Sequence, residues 1–131
     1  MILDTDFLIA LGDGDATARE KAASLEAADV PLRVPAMVLQ ELYVGVGAGT
    51  DPAANARTFE ALVANKPVVE TDENVARRAG VVEGRHLVSD EKPDLGPGDA
   101  VVAAVALQYN EPVVTSDGDF ETVDGVVVEG F

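Results

Sequence analysis

Residues 98–117 read GDAVVAAVALQYNEPVVTSD, and this segment is the clearest guide to the architecture. The almost uninterrupted apolar run from Ala100 to Tyr109 predicts a helix that is buried on all sides. Pro112–Thr115 (PVVT) then predicts a short strand with both faces covered. A buried helix that leads directly into such a strand is typical of an α/β protein with a parallel sheet.

The rest of the chain repeats this alternation of short apolar runs and helical stretches. Further strands are predicted at Met1–Leu3, Leu32–Val34 and Val126–Val128, while Pro67–Glu70 is either a short strand or only the lead into the next helix. Helices are predicted at Asp15–Ala28, Pro35–Gly45, Asp51–Asn65 and Asp72–Val88, with a flexible loop over Gly45–Thr50. We therefore expect a mostly parallel α/β sheet with right-handed crossovers.

Composition is consistent with one globular domain that covers residues 1–131. The chain has 24 acidic against 9 basic residues and a formal charge of −15, yet 47% of its residues are hydrophobic. Only 3 of the bases are lysine, and the core is rich in alanine and valine. This combination is typical of a protein from a salt-accumulating halophile, where concentrated salt screens the self-repulsion of the acidic surface.

The same composition excludes several kinds of chemistry. With no cysteine there is no disulfide, thiol nucleophile or iron–sulfur cluster, and with one histidine there is no multi-histidine metal site. The sequence contains no apolar run of membrane-spanning length and opens on a strand-like segment, so we expect a cytoplasmic protein. Any metal would have oxygen ligands, which favours Mg²⁺ or Mn²⁺.

Four carboxylates are predicted at the edge of the sheet where α/β proteins bind ligands. Asp4 and Asp117 follow predicted strands, Asp99 opens the apolar helix, and Glu41 lies in an early turn of its helix. Each also has a structural interpretation, since Asp4 and Asp117 could start turns, Asp99 could cap its helix and Glu41 could be a solvated, half-exposed side chain. Glu41 is the most informative, because its helical neighbours are apolar and a carboxylate there needs a partner.

Converging carboxylates repel one another unless a cation neutralises them. A divalent ion held among them would recruit phosphate oxygens and activate water. The pattern therefore indicates a metal-dependent nuclease. His86 continues an apolar helical stripe and is interpreted as a packed residue.

With these residues placed, the chain resembles the PIN-domain ribonucleases, and among them the VapC-type toxins of toxin–antitoxin pairs from halophilic archaea. The resemblance rests on four segments in the family's order, MILDTDFLI, VPAMVLQELYVG, GDAVVAAVAL and VVTSDGDF. It implies a three-layer α/β/α sandwich with a short, mostly parallel five-stranded sheet. It also implies an RNA substrate, homodimerisation and a cognate antitoxin.

The resemblance further implies that Asp4, Glu41, Asp99 and Asp117 are catalytic and hold Mg²⁺ or Mn²⁺. Supporting roles near the site are implied for Asp6, Thr115, Ser116 and Asp119. RNA binding usually depends on neutralisation of the phosphates by Lys and Arg, but this chain has only nine such bases. The bases that contact RNA are not identified by the sequence.

Two alternatives remain open at this point. Asp4-Thr5-Asp6 follows a strand as the DxD motif of a haloacid-dehalogenase-like phosphatase would, with Asp4 as nucleophile and Lys92 as a poorly placed partner. The chain could also be a catalytically inactive PIN-like interaction module, which predicts no metal binding.

Overall fold

The computed structural model describes residues 1–131 and contains six α-helices and five short parallel strands. The strands are β1 (Ile2–Leu3), β2 (Val34–Pro35), β3 (Val68–Val69), β4 (Val113–Val114) and β5 (Val128–Glu129). The helices are α1 (Thr5–Gly12), α2 (Ala16–Ala27), α3 (Ala36–Ala48), α4 (Pro52–Val63), α5 (Glu73–Leu87) and α6 (Pro97–Tyr109), and a 3₁₀ helix covers Gly118–Thr122. No helix is both long enough and apolar enough to cross a membrane.

The strands form two parallel ladders that are joined through Arg33. β1 pairs with β4 and β4 with β5, while β2 pairs with β3. The Leu3 amide donates to the Arg33 carbonyl at 2.9 Å, and the Arg33 amide donates to the Met1 carbonyl at 2.9 Å. The resulting order is β3-β2-β1-β4-β5, which confirms the expected parallel α/β class.

Helices cover both faces of this sheet. Ile2, Leu3, Val113 and Val114 are all fully buried, although successive strand residues point to opposite faces. The chain moves from β1 to β3 in one direction and then returns past β1 to β4. With right-handed crossovers, this reversal places α1–α4 over one face and α5–α6 over the other. The reversal also makes the gap between β1 and β4 the switch point where such sheets bind ligands.

Five of the six helices form where the sequence predicts them, whereas α1 (Thr5–Gly12) was not predicted. In α6, every residue from Ala100 to Ala106 is buried. The buried side chains of α5 are Val75, Ala79, Val82 and His86, as the stripe predicted. His86 is 2% exposed, and its Nδ1 donates to the Pro93 carbonyl at 3.0 Å. The prediction that His86 is a packed residue is confirmed.

Several predicted boundaries are wrong. Helix α3 continues to Ala48, so Gly45 and Gly47 are helical rather than part of a loop. Both glycines are exposed and face open space, and a glycine inside a helix costs only about 1 kcal/mol. Helix α6 begins at Pro97, because proline suits the first helical position, and the last strand lies at Val128–Glu129.

Candidate functional site

The carboxyl ends of β1 and β4 bring acidic and hydroxyl side chains together at the switch point. Asp4 follows β1 directly, and Thr115, Ser116 and Asp117 follow β4. Because β1 and β4 are neighbours in the sheet, these two segments lie side by side. Hydrogen bonds between them fix the first part of the site.

Asp4 is buried and uses both of its carboxylate oxygens. It caps α1, where Oδ1 accepts from the Thr5 amide at 2.8 Å, and Oδ2 accepts from the Thr115 hydroxyl at 2.9 Å. Its side chain is nearly inaccessible, at 5% exposure. Burial, together with the nearby charges of Asp6 and Asp99, raises the pKa of Asp4 to about 7 despite those hydrogen bonds. Asp4 thus caps a helix instead of starting a turn, and this cap does not explain why a carboxylate is buried here.

Thr115 and Ser116 hold the acids in a fixed arrangement. The Thr115 hydroxyl accepts from the Asp117 amide at 3.0 Å, and it lies 3.2 Å from Asp6 Oδ2 as well as next to Asp4. The backbone amide and the hydroxyl of Ser116 both donate to Asp6 Oδ2. Asp6 is thereby fixed beside Asp4, although the two like charges repel.

Asp99 reaches the same region from the first turn of α6. Gly96 occupies the capping position without a side-chain hydrogen bond, so the alternative in which Asp99 caps the helix is wrong. Burial, together with the charges of Asp117, Glu41, Asp119 and Asp6, raises the pKa of Asp99 to about 6. Four carboxylates therefore raise the pKa of Asp99, and the charge of Asp99 in turn raises the pKa of a fifth carboxylate, Asp4.

Glu41 presents a buried oxygen that no protein group satisfies. Its Oε1 is inaccessible and has no hydrogen-bond partner. A Cβ built on Gly98 would lie 3.0 Å from that oxygen, so the bare backbone of Gly98 allows the start of α6 to approach α3 closely. An unpaired buried carboxylate oxygen is costly, which indicates a missing partner. Sequence reasoning missed the role of Gly98, whose only signal was its position directly before Asp99.

Asp117 and Asp119 lie at the edge of the cluster. Asp117 caps the 3₁₀ helix, since its Oδ1 accepts from the Asp119 amide at 2.9 Å. Asp117 therefore has the structural role in a turn that the sequence offered as an alternative, but this role uses only one carboxylate oxygen. The other oxygen has no hydrogen-bond partner. Asp119 is exposed, and an open bowl of about 470 Å³ lies in front of the neighbouring Asp6.

No protein cation neutralises these acids. The five ion pairs join Glu111 to both the N-terminal amine and Arg33, Lys21 to Glu129, Arg77 to Glu73, and Lys92 to Asp124. None of them includes a carboxylate of the cluster. The cluster therefore carries uncompensated negative charge in a partly dry environment, which is the condition under which carboxylates bind a cation.

The donor set fits a hard divalent ion that keeps part of its water shell. No three His, Cys, Asp or Glu side chains stand close enough together to enclose a metal ion on their own. Mg²⁺ does not need such an enclosure, because it is held by about one or two carboxylates and retains several waters. The unpaired oxygen of Glu41 and the oxygen-only chemistry of the cluster match that mode of binding.

Comparison with known proteins gives a family and a set of structural neighbours. The family model for the PIN domain matches residues 1–126. The chain is similar to VapBC2 from Rickettsia felis bound to a promoter DNA fragment, with 17% identity, 99% of this chain and 97% of that chain covered, and a TM-score of 0.85. It is also similar to VapBC-5 of Mycobacterium tuberculosis, with 29% identity and a TM-score of 0.69. That match covers 99% of this chain and 95% of the other.

A third neighbour is the Mycobacterium tuberculosis toxin VapC20, which cleaves the sarcin–ricin loop. The identity is 20%, 92% of each chain is covered, and the TM-score is 0.69. A search of curated protein sequences gave no match.

Proposed function

The chain belongs to the PIN-domain family, and from that premise we propose that it is a metal-dependent endoribonuclease and the toxin of a toxin–antitoxin pair. The observation that carries the proposal is the cluster of acids that no protein cation neutralises, with the Glu41 oxygen left unpaired inside it. A purely structural cluster would be expected to contain its own counter-charge, because unpaired buried charge destabilises the fold.

We propose Asp4, Glu41, Asp99 and Asp117 as the catalytic residues and as the groups that hold Mg²⁺ or Mn²⁺, some of them through water molecules that the ion retains. When bound, such an ion lowers the pKa of an attacking water and stabilises charge on the leaving oxygen. Thr115 orients Asp4 and Asp117, and Ser116 orients Asp6. Asp119 completes the acidic rim.

RNA is the proposed substrate, and it would be held with few basic contacts. Four of the nine bases, Lys21, Arg33, Arg77 and Lys92, are already paired with acids outside the cluster. The ion in the site would therefore supply much of the positive charge that faces the phosphate backbone. Concentrated salt would also screen the repulsion between RNA and an acidic surface.

The proposed partners follow from the neighbours. Several of them are VapBC toxin–antitoxin complexes, which supports a cognate antitoxin for this chain. We further propose a homodimer built from single domains of residues 1–131, acting in the cytoplasm of a halophilic cell.

The phosphatase alternative is not favoured. Its partner lysine would be Lys92, whose Nζ lies 2.8 Å from Asp124 Oδ1. Lys92 and Leu107 line the same cavity, and Leu107 is near the far end of the helix that starts beside the acidic cluster. The phosphatase also gives Glu41 no role. The inactive module leaves the unpaired Glu41 oxygen unexplained.

The test is cleavage of labelled total RNA at high KCl, with Mn²⁺ or with EDTA. We expect cleavage only with the metal, and its loss in Asp4→Asn and Glu41→Gln. Glu60→Gln, which removes an exposed acid of α4, is the matched control and should retain activity. Cleavage that persists in EDTA or in Asp4→Asn would contradict the metal mechanism. Hydrolysis of a small phosphomonoester without RNA cleavage would instead support the phosphatase.

A further inference from the structure

A small cavity at the other end of α6 is unusual in this acidic protein because basic side chains predominate in it. It is lined by three basic side chains and one acidic side chain, Arg85, His86, Lys92 and Asp124, over a floor of Val82, Leu107 and Val123. Each of the four other main cavities is lined by at least as many acidic as basic side chains. A positive cavity on a chain of charge −15 calls for a specific explanation.

His86 supplies an unpaired polar atom inside this cavity. The ring is 2% exposed and its Nδ1 donates to the Pro93 carbonyl, while no protein group hydrogen-bonds Nε2. Because Nδ1 is occupied and the ring lines the cavity, Nε2 is the nitrogen that remains for a ligand. It can accept the proton of a hydroxyl group in the neutral ring or donate in the protonated ring.

The two long basic side chains provide donors around that nitrogen. Arg85 forms no ion pair, and the Lys92 Nζ is paired only with Asp124, whose side chain is 84% exposed. Arg85 and His86 line the same cavity as Lys92 and Asp124, and the hydrogen bond from Lys92, with the charges of all three bases, holds the pKa of Asp124 below its usual range. An exposed carboxylate can move into solvent when a stronger anion replaces it.

The size of the cavity matches one tetrahedral oxyanion. Its volume is about 50 Å³. At about 10–15 Å³ for each water-sized sphere, it has room for roughly three to five heavy atoms. A phosphate group has five heavy atoms, combines acceptor oxygens with an ionisable hydroxyl, and is the usual anion for arginine and lysine donors.

We propose that Arg85, His86 and Lys92 form a binding site for a single phosphate group, which nothing in the proposed nuclease activity requires. Leu107, on the floor of the cavity, lies eight residues after Asp99, which corresponds to about 12 Å along the helix. The site is therefore separate from the acidic cluster. The phosphate is either a free ion or the terminal group of an RNA, and both present the same chemistry.

The single histidine makes the test direct, because every imidazole signal in an NMR spectrum belongs to His86. We expect inorganic phosphate, added at constant ionic strength, to shift the Hε1 and Nε2 resonances until they saturate. Arg85→Gln and Lys92→Gln should weaken binding at least about tenfold, since each removes a charged donor. Asp124→Asn should strengthen it by removing the competing carboxylate.

Arg78→Gln is the matched control, since it removes an exposed arginine of α5 that does not line the cavity. It should bind phosphate as the unmodified protein does. Shifts that fail to saturate, or that are equal in Arg85→Gln and Arg78→Gln, would overturn the proposal.

A second pair of titrations identifies the source of the phosphate. They use a short RNA with or without a 5′-phosphate, in an Asp4→Asn background that prevents cleavage. If inorganic phosphate saturates the site, saturation by the phosphorylated RNA but not by the unphosphorylated RNA assigns an RNA end, and no saturation by either RNA assigns a free ion. Equal shifts with both RNAs, without saturation by inorganic phosphate, would contradict the site. Because the cavity is distant from the acids, loss of RNA cleavage in Asp4→Asn leaves these outcomes unchanged.

Discussion

Replacing Asp4 with asparagine should stabilise the metal-free protein while it abolishes RNA cleavage. The carboxylate is 5% exposed, and its pKa rises from 3.8 to about 7 on folding. A group whose pKa is raised by folding binds its proton more tightly in the folded state. Ionised Asp4 therefore destabilises the fold at neutral pH, and asparagine removes that charge without changing the shape of the side chain.

The magnitude follows from the size of the shift. About three pKa units at about 1.36 kcal/mol each give an upper bound of about 4 kcal/mol. Asparagine keeps an acceptor for the Thr5 amide but must donate to the Thr115 hydroxyl, and this rearrangement consumes part of the gain. We expect a net stabilisation of about 2–4 kcal/mol at about pH 8, which raises the melting temperature by roughly 10 °C.

The pH dependence separates this effect from a general gain in stability. Below the unfolded pKa of 3.8, Asp4 is protonated in both states, so Asp4→Asn should have no electrostatic advantage and should differ only by the cost of its rearranged hydrogen bonds. The advantage of Asp4→Asn should grow as pH rises to about 7 and then level off. Thermal unfolding in EDTA over this pH range provides the measurement. A destabilised variant at neutral pH, or an advantage that does not change with pH, would refute the reasoning.

Three further predictions concern the site and the surface. Gly98→Ala places a methyl group 3.0 Å from Glu41 Oε1, so we expect RNA cleavage to fall about 10–100-fold. The circular dichroism spectrum should be unchanged. Full activity would show that the close approach of Gly98 to Glu41 is unimportant. Thr115→Val leaves Asp4 and the Asp117 amide without their shared hydroxyl and should lower the free energy of unfolding by about 1–3 kcal/mol in denaturant titrations, whereas Thr115→Ser should restore it. The melting temperature should rise steeply with KCl because salt screens a charge of −15, and a melting temperature independent of KCl would contradict this.

Much of the site could be predicted because strand ends are readable from sequence. Asp4 and Asp117 each follow a short apolar run, and parallel strands place such positions on one edge. The buried stripe of α5 was equally clear, since its spacing follows the helical period.

The remaining features depend on contacts between distant segments. The Thr115 hydroxyl reaches Asp4 across 111 positions, and Gly98 meets Glu41 only because α6 packs beside α3. No local pattern reports such distances. The predicted end of α3 at Gly45 is wrong for a different reason. The local signal for a helix end is present, but helical hydrogen bonding continues through the next, exposed turn.

Binding of Mn²⁺ tests most directly whether these acids hold a metal ion. Electron paramagnetic resonance measures the concentration of free Mn²⁺. High KCl in the sample suppresses weak binding of the ion to the acidic surface. We predict saturable binding to the unmodified protein and to Glu60→Gln, an exposed control on α4, with affinity reduced at least about tenfold in Glu41→Gln. Equal affinity in Glu41→Gln and Glu60→Gln, or no saturable binding to the unmodified protein, would contradict the proposed metal centre.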